Sequence, residues 1–315
     1  MSSPVPPVVL RSRALAGDLD ALAQLGRRLL LGEGVAAAPQ EGLACLRSAA
    51  ARGHAEAESQ LALLAAFGVL QARSIPAALA HLRRAAALGR EQARRELTLL
   101  SRGGIDVNVA ALTTPPAVRP VTGSARIRVF ERFATAGECA WLIDSARASL
   151  RRAQVYRRDE EGYTEADSRT NREADFVFDN ASVVLSLVRE RIAAAAGIAA
   201  DHFEIAKLLH YEPGQQFAPH GDFQETTSPA LAREVERRGQ RIATFLVYLN
   251  DDYDGGETDF PRLGFRYKGA RGDALLFFNV DAAGRPDYDT VHAGLPTTRG
   301  EKWLLSQWMR SKPVG

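Results

Sequence analysis

His220 and Asp222, separated by one glycine, with His292 and Lys302 further along, are the residues best placed to do chemistry together. Two imidazoles and one carboxylate can hold one face of an Fe(II) octahedron and leave three positions open to small molecules. The His-x-Asp spacing suits this, because residues two apart on an extended segment share a face and can reach one metal. The third ligand must then come from a distant strand, as His292 would. Lys302, ten residues beyond His292, can offer a fixed cation to a dicarboxylate co-substrate bound at that metal. The set predicts an oxygenase.

The bulk properties exclude several other classes. The chain has 315 residues, enough for two domains and a sizeable core. Forty basic against 38 acidic residues leave a formal charge of +2, which gives no electrostatic footprint for nucleic acid. Cys45 and Cys139 lie far apart and read as buried reduced thiols, not as a metal-binding pair. No apolar run reaches the ~18 residues of a membrane span. The opening Met1-Ser-Ser-Pro-Val-Pro-Pro lacks the basic and apolar regions of a signal peptide. A cytoplasmic protein is the expectation, and a reducing compartment would help keep iron ferrous.

The elements that must position these residues fall into two parts, preceded by residues 1–10, which are expected to be disordered. Residues 11–101 are rich in Ala, Leu and Arg and show self-similarity at a step of 36. Gly17, Gly53 and Gly89 fall in register, as do Ala21, Ala57 and Ala93, and Leu25, Leu61 and Leu97. Each unit reads as two short helices with glycine turns between units, the signature of a helical solenoid. Gly32-Glu-Gly-Val35 and Ala49-Ala-Ala-Arg-Gly-His-Ala-Glu-Ala57 resemble Sel1-like repeats, a branch of the tetratricopeptide-type solenoids. Phe67-Gly-Val-Leu70 departs from the Gly-x-Gly-Val turn expected in the next copy. The resemblance implies a protein-interaction surface; a helical cap that binds nothing is the other reading.

Residues 102–124, with Gly103-Gly104, Thr113-Thr-Pro-Pro116 and Pro120, read as a linker. Beyond it, in 125–315, Arg126–Phe130 alternates like a strand, while 136–150 and 182–196 have helical spacing. Strands then dominate: Ile205–Tyr211, Arg241–Leu249, Phe265–Tyr267, Ala274–Val280 and Lys302–Arg310, punctuated by Gly and Pro. Many short strands with turn signals suggest a jelly roll, buttressed by the two helices. The fold class is therefore α+β, an α-helical repeat module followed by a strand-rich catalytic domain.

Four segments carry a further resemblance: Tyr211-Glu-Pro-Gly-Gln-Gln-Phe-Ala-Pro-His-Gly-Asp222, Arg241-Ile-Ala-Thr-Phe-Leu-Val-Tyr-Leu-Asn250, Gly255-Gly-Glu-Thr-Asp-Phe-Pro261 and His292-Ala-Gly-Leu-Pro-Thr-Thr-Arg-Gly-Glu-Lys-Trp303. With Phe130–Cys139 as an opening strand and helix, residues about 126–310 resemble the prolyl 4-hydroxylase-type Fe(II)/2-oxoglutarate-dependent oxygenases. The resemblance implies a double-stranded β-helix and assigns roles. His220, Asp222 and His292 would ligate Fe(II), and Lys302 would pair with the distal carboxylate of 2-oxoglutarate. Tyr211 would hydrogen-bond that co-substrate, with Thr244 as a second candidate. Trp308 would stand near the iron or pack in the core.

The implied reaction consumes 2-oxoglutarate and O2, releases succinate and CO2, and hydroxylates an unactivated C–H bond; ascorbate would serve as a reductant. A carboxylate at Asp222 favours hydroxylation over halogenation, because a small residue there would open a halide site. Arg151–Asn171 looks like a mobile polar flap, with Arg169 and Asn171 as candidate substrate contacts or as parts of a solvated loop. Phe223–Gln240 reads as a solvated helical excursion that could line the entrance. The expected substrate is a prolyl or similar residue of a protein or peptide, recruited by the repeats. A free amino acid or other small molecule, a non-catalytic oxygen- or iron-sensing interaction protein, and a cupin-like isomerase or sugar-binding barrel are the alternatives.

Overall fold

Short Ala- and Leu-rich stretches closed by glycine dictate the first part of the chain. The computed structural model describes residues 5–121, 124–157, 162–226 and 228–314. Six helices occupy the repeat region: α1 Pro7–Leu15, α2 Leu19–Leu31, α3 Pro39–Ala51, α4 Ala55–Phe67, α5 Ile75–Ala87 and α6 Glu91–Ser101. The starts of α2, α4 and α6 keep the 36-residue step. Gly17, Gly53 and Gly89 all take φ between 86° and 95°, which lets each hairpin reverse without a Cβ clash. The small lattice residues Ala21, Ala57 and Ala93 are buried, and Leu25, Leu46, Leu61 and Leu82 fill the space between helices.

The departure at Phe67-Gly-Val-Leu70 is one of side chain, not of backbone. Gly34 has φ 68°, and Leu70, one step later, adopts φ 59° in the same left-handed region. A leucine there costs about 1–2 kcal/mol, which the packed helices on either side tolerate. The expected disorder over 1–10 is also corrected. The helix α1 begins at Pro7, and Leu10 is fully buried, because an apolar Val-Val-Leu run follows a proline suited to a helix start. Residues 1–4 lie outside the described residues.

The second part contains α7 Val109–Thr113, α8 Ala136–Ala146, α9 Val183–Ala196 and α10 Pro229–Arg238. Its strands are β1 Arg119–Val121, β2 Ser124–Phe130, β3 Arg151–Arg152, β4 Val155–Arg157, β5 Gly162–Thr164, β6 Arg172–Asp175, β7 Lys207–Tyr211 and β8 Phe217–His220. They continue with β9 Arg241–Tyr248, β10 Asp254–Gly255, β11 Thr258–Phe260, β12 Phe265–Tyr267, β13 Ala274–Phe278, β14 His292–Gly294, β15 Thr297–Arg299 and β16 Lys302–Arg310. An antiparallel major sheet runs β1-β2-β13-β9-β16-β7-β6-β3, and a minor sheet runs β12-β11-β14-β8. One apolar cluster joins them: Leu209, Leu246, Leu275, Phe277 and Leu304 from the major sheet meet Phe260, Phe217 and Phe265 from the minor one. This is the expected jelly-roll architecture, an α+β fold.

The stretch read as a linker holds regular structure, the short helix α7 with buried Leu112 and the edge strand β1. Its prolines excluded a long element but not these; an edge strand accepts a proline because one side needs no ladder donors. The chain divides into two compact units, Met1–Val109 with Ser182–Ser186, and Ala110–Ala181 with Leu187–Gly315. The entry into α9 thus groups with the helical unit, where the Val184 amide donates to buried Glu96 and the Ser186 hydroxyl to the Ala66 carbonyl. Later in α9, Arg189 donates to Gln307 on β16, the buttressing contact expected of this helix. The strand expected from Ile205 begins at Lys207, and that expected to Val280 ends at Phe278.

Candidate active site

Alternation along the strands decides what faces the space between the sheets. On β16, Lys302, Leu304, Ser306 and Trp308 point inward; on β7, Leu209 and Tyr211 do; on β9, Thr244, Leu246 and Tyr248 share one face. His220 closes β8 and pairs in register with His292, the first residue of β14. Asp222 stands beyond the strand end, not on the extended segment that the two-residue spacing suggested. Gly221 makes the bend, and a Cβ there would lie 2.6 Å from the Phe223 ring.

The ligand-type atoms of His220, Asp222 and His292 all lie within 4.8 Å of one another. Each Nε2 faces the carboxylate, His220 at 3.7 Å from Oδ1 and His292 at 3.7 Å from Oδ2. The other ring nitrogens are occupied: His220 Nδ1 donates to the Ala218 carbonyl at 2.9 Å and His292 Nδ1 to the Thr290 carbonyl at 3.1 Å. That fixes both tautomers with the Nε2 lone pair turned into the site, as metal ligation requires. Burial and the facing His292 push the His220 imidazole down to about 3, so it stays neutral at physiological pH. Aromatic rings enclose the pair: Phe217 stacks on His220 at 3.4 Å between centroids, and Phe277 stands edge-on to His292 at 4.6 Å.

Lys302 shares this cavity with the triad. It is 1 % exposed, and its amino group donates to the Gly256 carbonyl at 2.6 Å. Burial pushes its pKa down to about 7, with Glu257 opposing. Tyr211 pairs with Lys302 across β7 and β16, and its ring lies 5.1 Å from the ammonium. Burial raises the phenol to about 12, so it remains a hydroxyl donor. Gly256, in the turn before β11, forms the floor beneath Lys302. A Cβ there would sit 3.2 Å from Lys302 Cδ. Trp308 lines the same cavity, under the Arg241 guanidinium at 4.0 Å, and its buried Nε1 has no hydrogen-bond partner among the described residues.

Three residues expected to touch co-substrate or substrate have internal partners, and one of them, Arg169, also lines the triad cavity. The Thr244 hydroxyl donates to Asp222 Oδ2 at 2.7 Å and accepts from Asn279 Nδ2 at 3.0 Å, which ties it to the carboxylate. Asn171 is fully buried, with its amide on the Arg172 carbonyl and its oxygen on Arg169. Arg169 is no solvated loop residue either. It is 5 % exposed, reaches Gln154, Asn171 and Glu173, and lies over Phe217 at 4.6 Å. Polar composition suggested solvent, but each polar group found an internal partner. The flap expected over 151–171 contains β3, β4 and β5; residues 158–161 lie outside the described residues. In the helical excursion at 223–240, Leu231 is buried and Glu234 accepts from the fully buried Arg310.

A wider groove opens beside the triad, lined by Arg151, Lys207, Phe223, Arg238, Tyr288 and Trp308 among others. Asn279 and Gly256 went unassigned in the sequence. A Gly-Gly pair before a strand was the only signal for one, and nothing marked the other.

The family described as the 2OG-Fe(II) oxygenase superfamily matches residues 206–310. Prolyl 4-hydroxylase 1 of Arabidopsis thaliana is 33% identical over 206 residues, covering 61% of this chain and 71% of its own length. A viral collagen prolyl hydroxylase from Paramecium Bursaria Chlorella virus-1, solved as a 2OG complex, is 25% identical, with 60% of this chain and 98% of that chain covered and a TM-score of 0.45. A Sel1 repeat protein from Oxalobacter formigenes is 29% identical, with 33% of this chain and 81% of that chain covered and a TM-score of 0.30.

Proposed function

The chain belongs to the prolyl 4-hydroxylase branch of the 2OG-Fe(II) oxygenases, and from that membership we propose that it hydroxylates a prolyl residue held in a protein or peptide. It is a 2-oxoglutarate-dependent dioxygenase whose cofactors are Fe(II), 2-oxoglutarate and O2. The observation that carries the site assignment is the set of three ligand atoms within 4.8 Å sharing one cavity with a buried lysine.

In this proposal His220, Asp222 and His292 hold the metal. The two imidazoles with outward-tied Nδ1 atoms and the adjacent carboxylate fit a divalent cation. When bound, iron supplies with 2-oxoglutarate and O2 the oxidising power for C–H hydroxylation, leaving succinate and CO2. Lys302 binds the distal carboxylate of 2-oxoglutarate, and Tyr211 donates its hydroxyl to the same molecule. Phe217, Phe260 and Phe277, packed around the two imidazoles, exclude water. Trp308, like His220 and Asp222, lines both this cavity and the outer groove. The groove, with a mixed polar wall and the half-exposed Tyr288, supports a polypeptide substrate over a free amino acid.

Residues 11–101 recruit the protein partner in this reading, and 125–315 carry the chemistry. A second groove within the helical unit, lined by Asp20, Gln24, His54 and Arg90, offers the surface. The unpaired cysteines support a reducing, cytoplasmic setting, with ascorbate as reductant. No helix among the described residues is long and apolar enough to cross a membrane.

The test is anaerobic loading with Fe(II) and 2-oxoglutarate, then O2, with succinate measured alongside hydroxyproline in a proline-rich peptide. Succinate without any hydroxylated peptide would turn the substrate assignment towards a small molecule. Asp20→Arg with Gln24→Arg should raise KM for a protein substrate but not for a short peptide.

A further inference from the structure

We infer that Asn279 is a positioning residue for two of the three metal-binding side chains, an inference that rests on the metal site proposed above. Its side chain and its backbone lead to different ligands. Asn279 Nδ2 donates to Thr244 Oγ1 at 3.0 Å, and that hydroxyl donates to Asp222 Oδ2 at 2.7 Å. The Asn279 carbonyl accepts from the Asp287 amide at 3.0 Å. Asp287 in turn takes, on its own carbonyl, the Thr290 amide at 3.1 Å and the Thr290 hydroxyl at 2.8 Å. The Thr290 carbonyl then receives His292 Nδ1.

All of these residues are buried, with Asn279, Thr244 and Thr290 each 1 % exposed. A hydroxyl has a single hydrogen. By filling the acceptor side of Thr244, the Asn279 amide leaves that hydrogen for Asp222 alone. The carboxylate is thereby held at one rotation before a cation arrives. His220 does not depend on this relay. Its Nδ1 rests on Ala218, whose amide bonds to the Ser168 carbonyl, and its ring rests on Phe217 beneath Arg169. Besides the strand pairing of His220 with His292, the site therefore has two separate hydrogen-bonded supports, one for His220 and one, centred on Asn279, for Asp222 and His292.

The experiment is an anaerobic calorimetric titration of the full chain with Co(II), without co-substrate, for wild type, Asn279→Ala, Thr244→Val, Thr244→Ser and the Asn279→Ala/Thr244→Val pair. Removing a partner that orients a metal ligand weakens binding by roughly 10–100-fold, the loss expected for Asn279→Ala and Thr244→Val. Thr244→Ser, which keeps the hydroxyl, should bind close to wild type. The double variant should be no weaker than Thr244→Val, because the side chain of Asn279 reaches Asp222 only through that hydroxyl. Should Asn279→Ala fail to fold, the Thr244→Val and Thr244→Ser pair decides: equal affinity in both overturns the relay. Wild-type affinity in a folded Asn279→Ala overturns the inference while leaving the metal site standing. No Co(II) binding by the wild type would overturn the site and the inference together.

Discussion

Among the described residues, each unit of this protein buries one titratable side chain whose pKa is driven to about 7, and the two have opposite charge. Glu96 in the helical unit is pushed up by burial, against the Val184 and Val183 amides that favour its charged form. Lys302 in the oxygenase unit is pushed down by burial, with only Glu257 opposing. Glu96 accepts a hydrogen bond from a backbone amide, so its setting is complete as it stands. Lys302 has one carbonyl for its three donors and lies in a cavity with the triad. The difference separates a group closed into the fold from one that faces the triad cavity. It extends to the units at large: the helical unit repeats one local solution, whereas the oxygenase unit gathers distant residues around a single point.

The sharpest break of this comparison is in the triad. Asp222→Ala or His292→Ala should abolish succinate formation while leaving far-UV circular dichroism of the helices unchanged, because neither residue lies in a helix. Normal succinate production by purified Asp222→Ala would remove the triad from the mechanism.

Lys302→Ala should raise the 2-oxoglutarate requirement by roughly 10–100-fold, the worth of a charge-assisted bond in a partly dry site. The pH dependence sharpens this. A dicarboxylate binds the charged lysine, so wild-type affinity should fall as pH rises above about 7, where the free enzyme loses that proton. Lys302→Ala should lack this slope, and a slope retained in the variant would point to another cation.

Glu96 gives the opposite sign, read as stability. Its folded pKa lies above its unfolded value, so its contribution is full below pH 4.5 and is lost as pH rises through about 7. The loss is on the order of 3 kcal/mol. Thermal melts of wild type between pH 4.5 and 7.5 should show the decline, and Glu96→Gln should flatten it. A wild-type profile as flat as that of the variant would mean that the carboxyl is charged throughout.

The smallest effect is in the repeat turn. Leu70→Gly should stabilise the helical unit by about 0.5 kcal/mol, the relief of a left-handed leucine less the extra freedom of glycine in the unfolded chain. Turnover should not change. A lower melting temperature would show that the half-buried leucine contributes more by packing than its backbone costs.

The 36-residue repeat was legible over 11–101 because helix periodicity and glycine turns are local. Gly17, Gly53 and Gly89 stand at one spacing, and each sits within a few residues of the helices it joins. Leu70 escaped because side-chain identity does not reveal a backbone held left-handed by its neighbours. The short elements of 102–124 escaped because proline content rules out only long ones.

For the site, residue types and their spacing determined the candidate ligands: two histidines and an aspartate can hold one metal, and a lysine on an apolar strand needs a partner. Strand alternation placed Lys302, Tyr211 and Trp308 on one side. Only the tertiary structure decided what the remaining polar groups do. Thr244 reaches Asp222 across 22 residues of sequence, and Asn279 reaches Thr244 across 35. Arg169 turned inward to Glu173 and Asn171 although its loop is polar. A side-chain hydroxyl, amide or guanidinium bonds whichever group the packed strands bring within about 3 Å, and no local pattern encodes that neighbour.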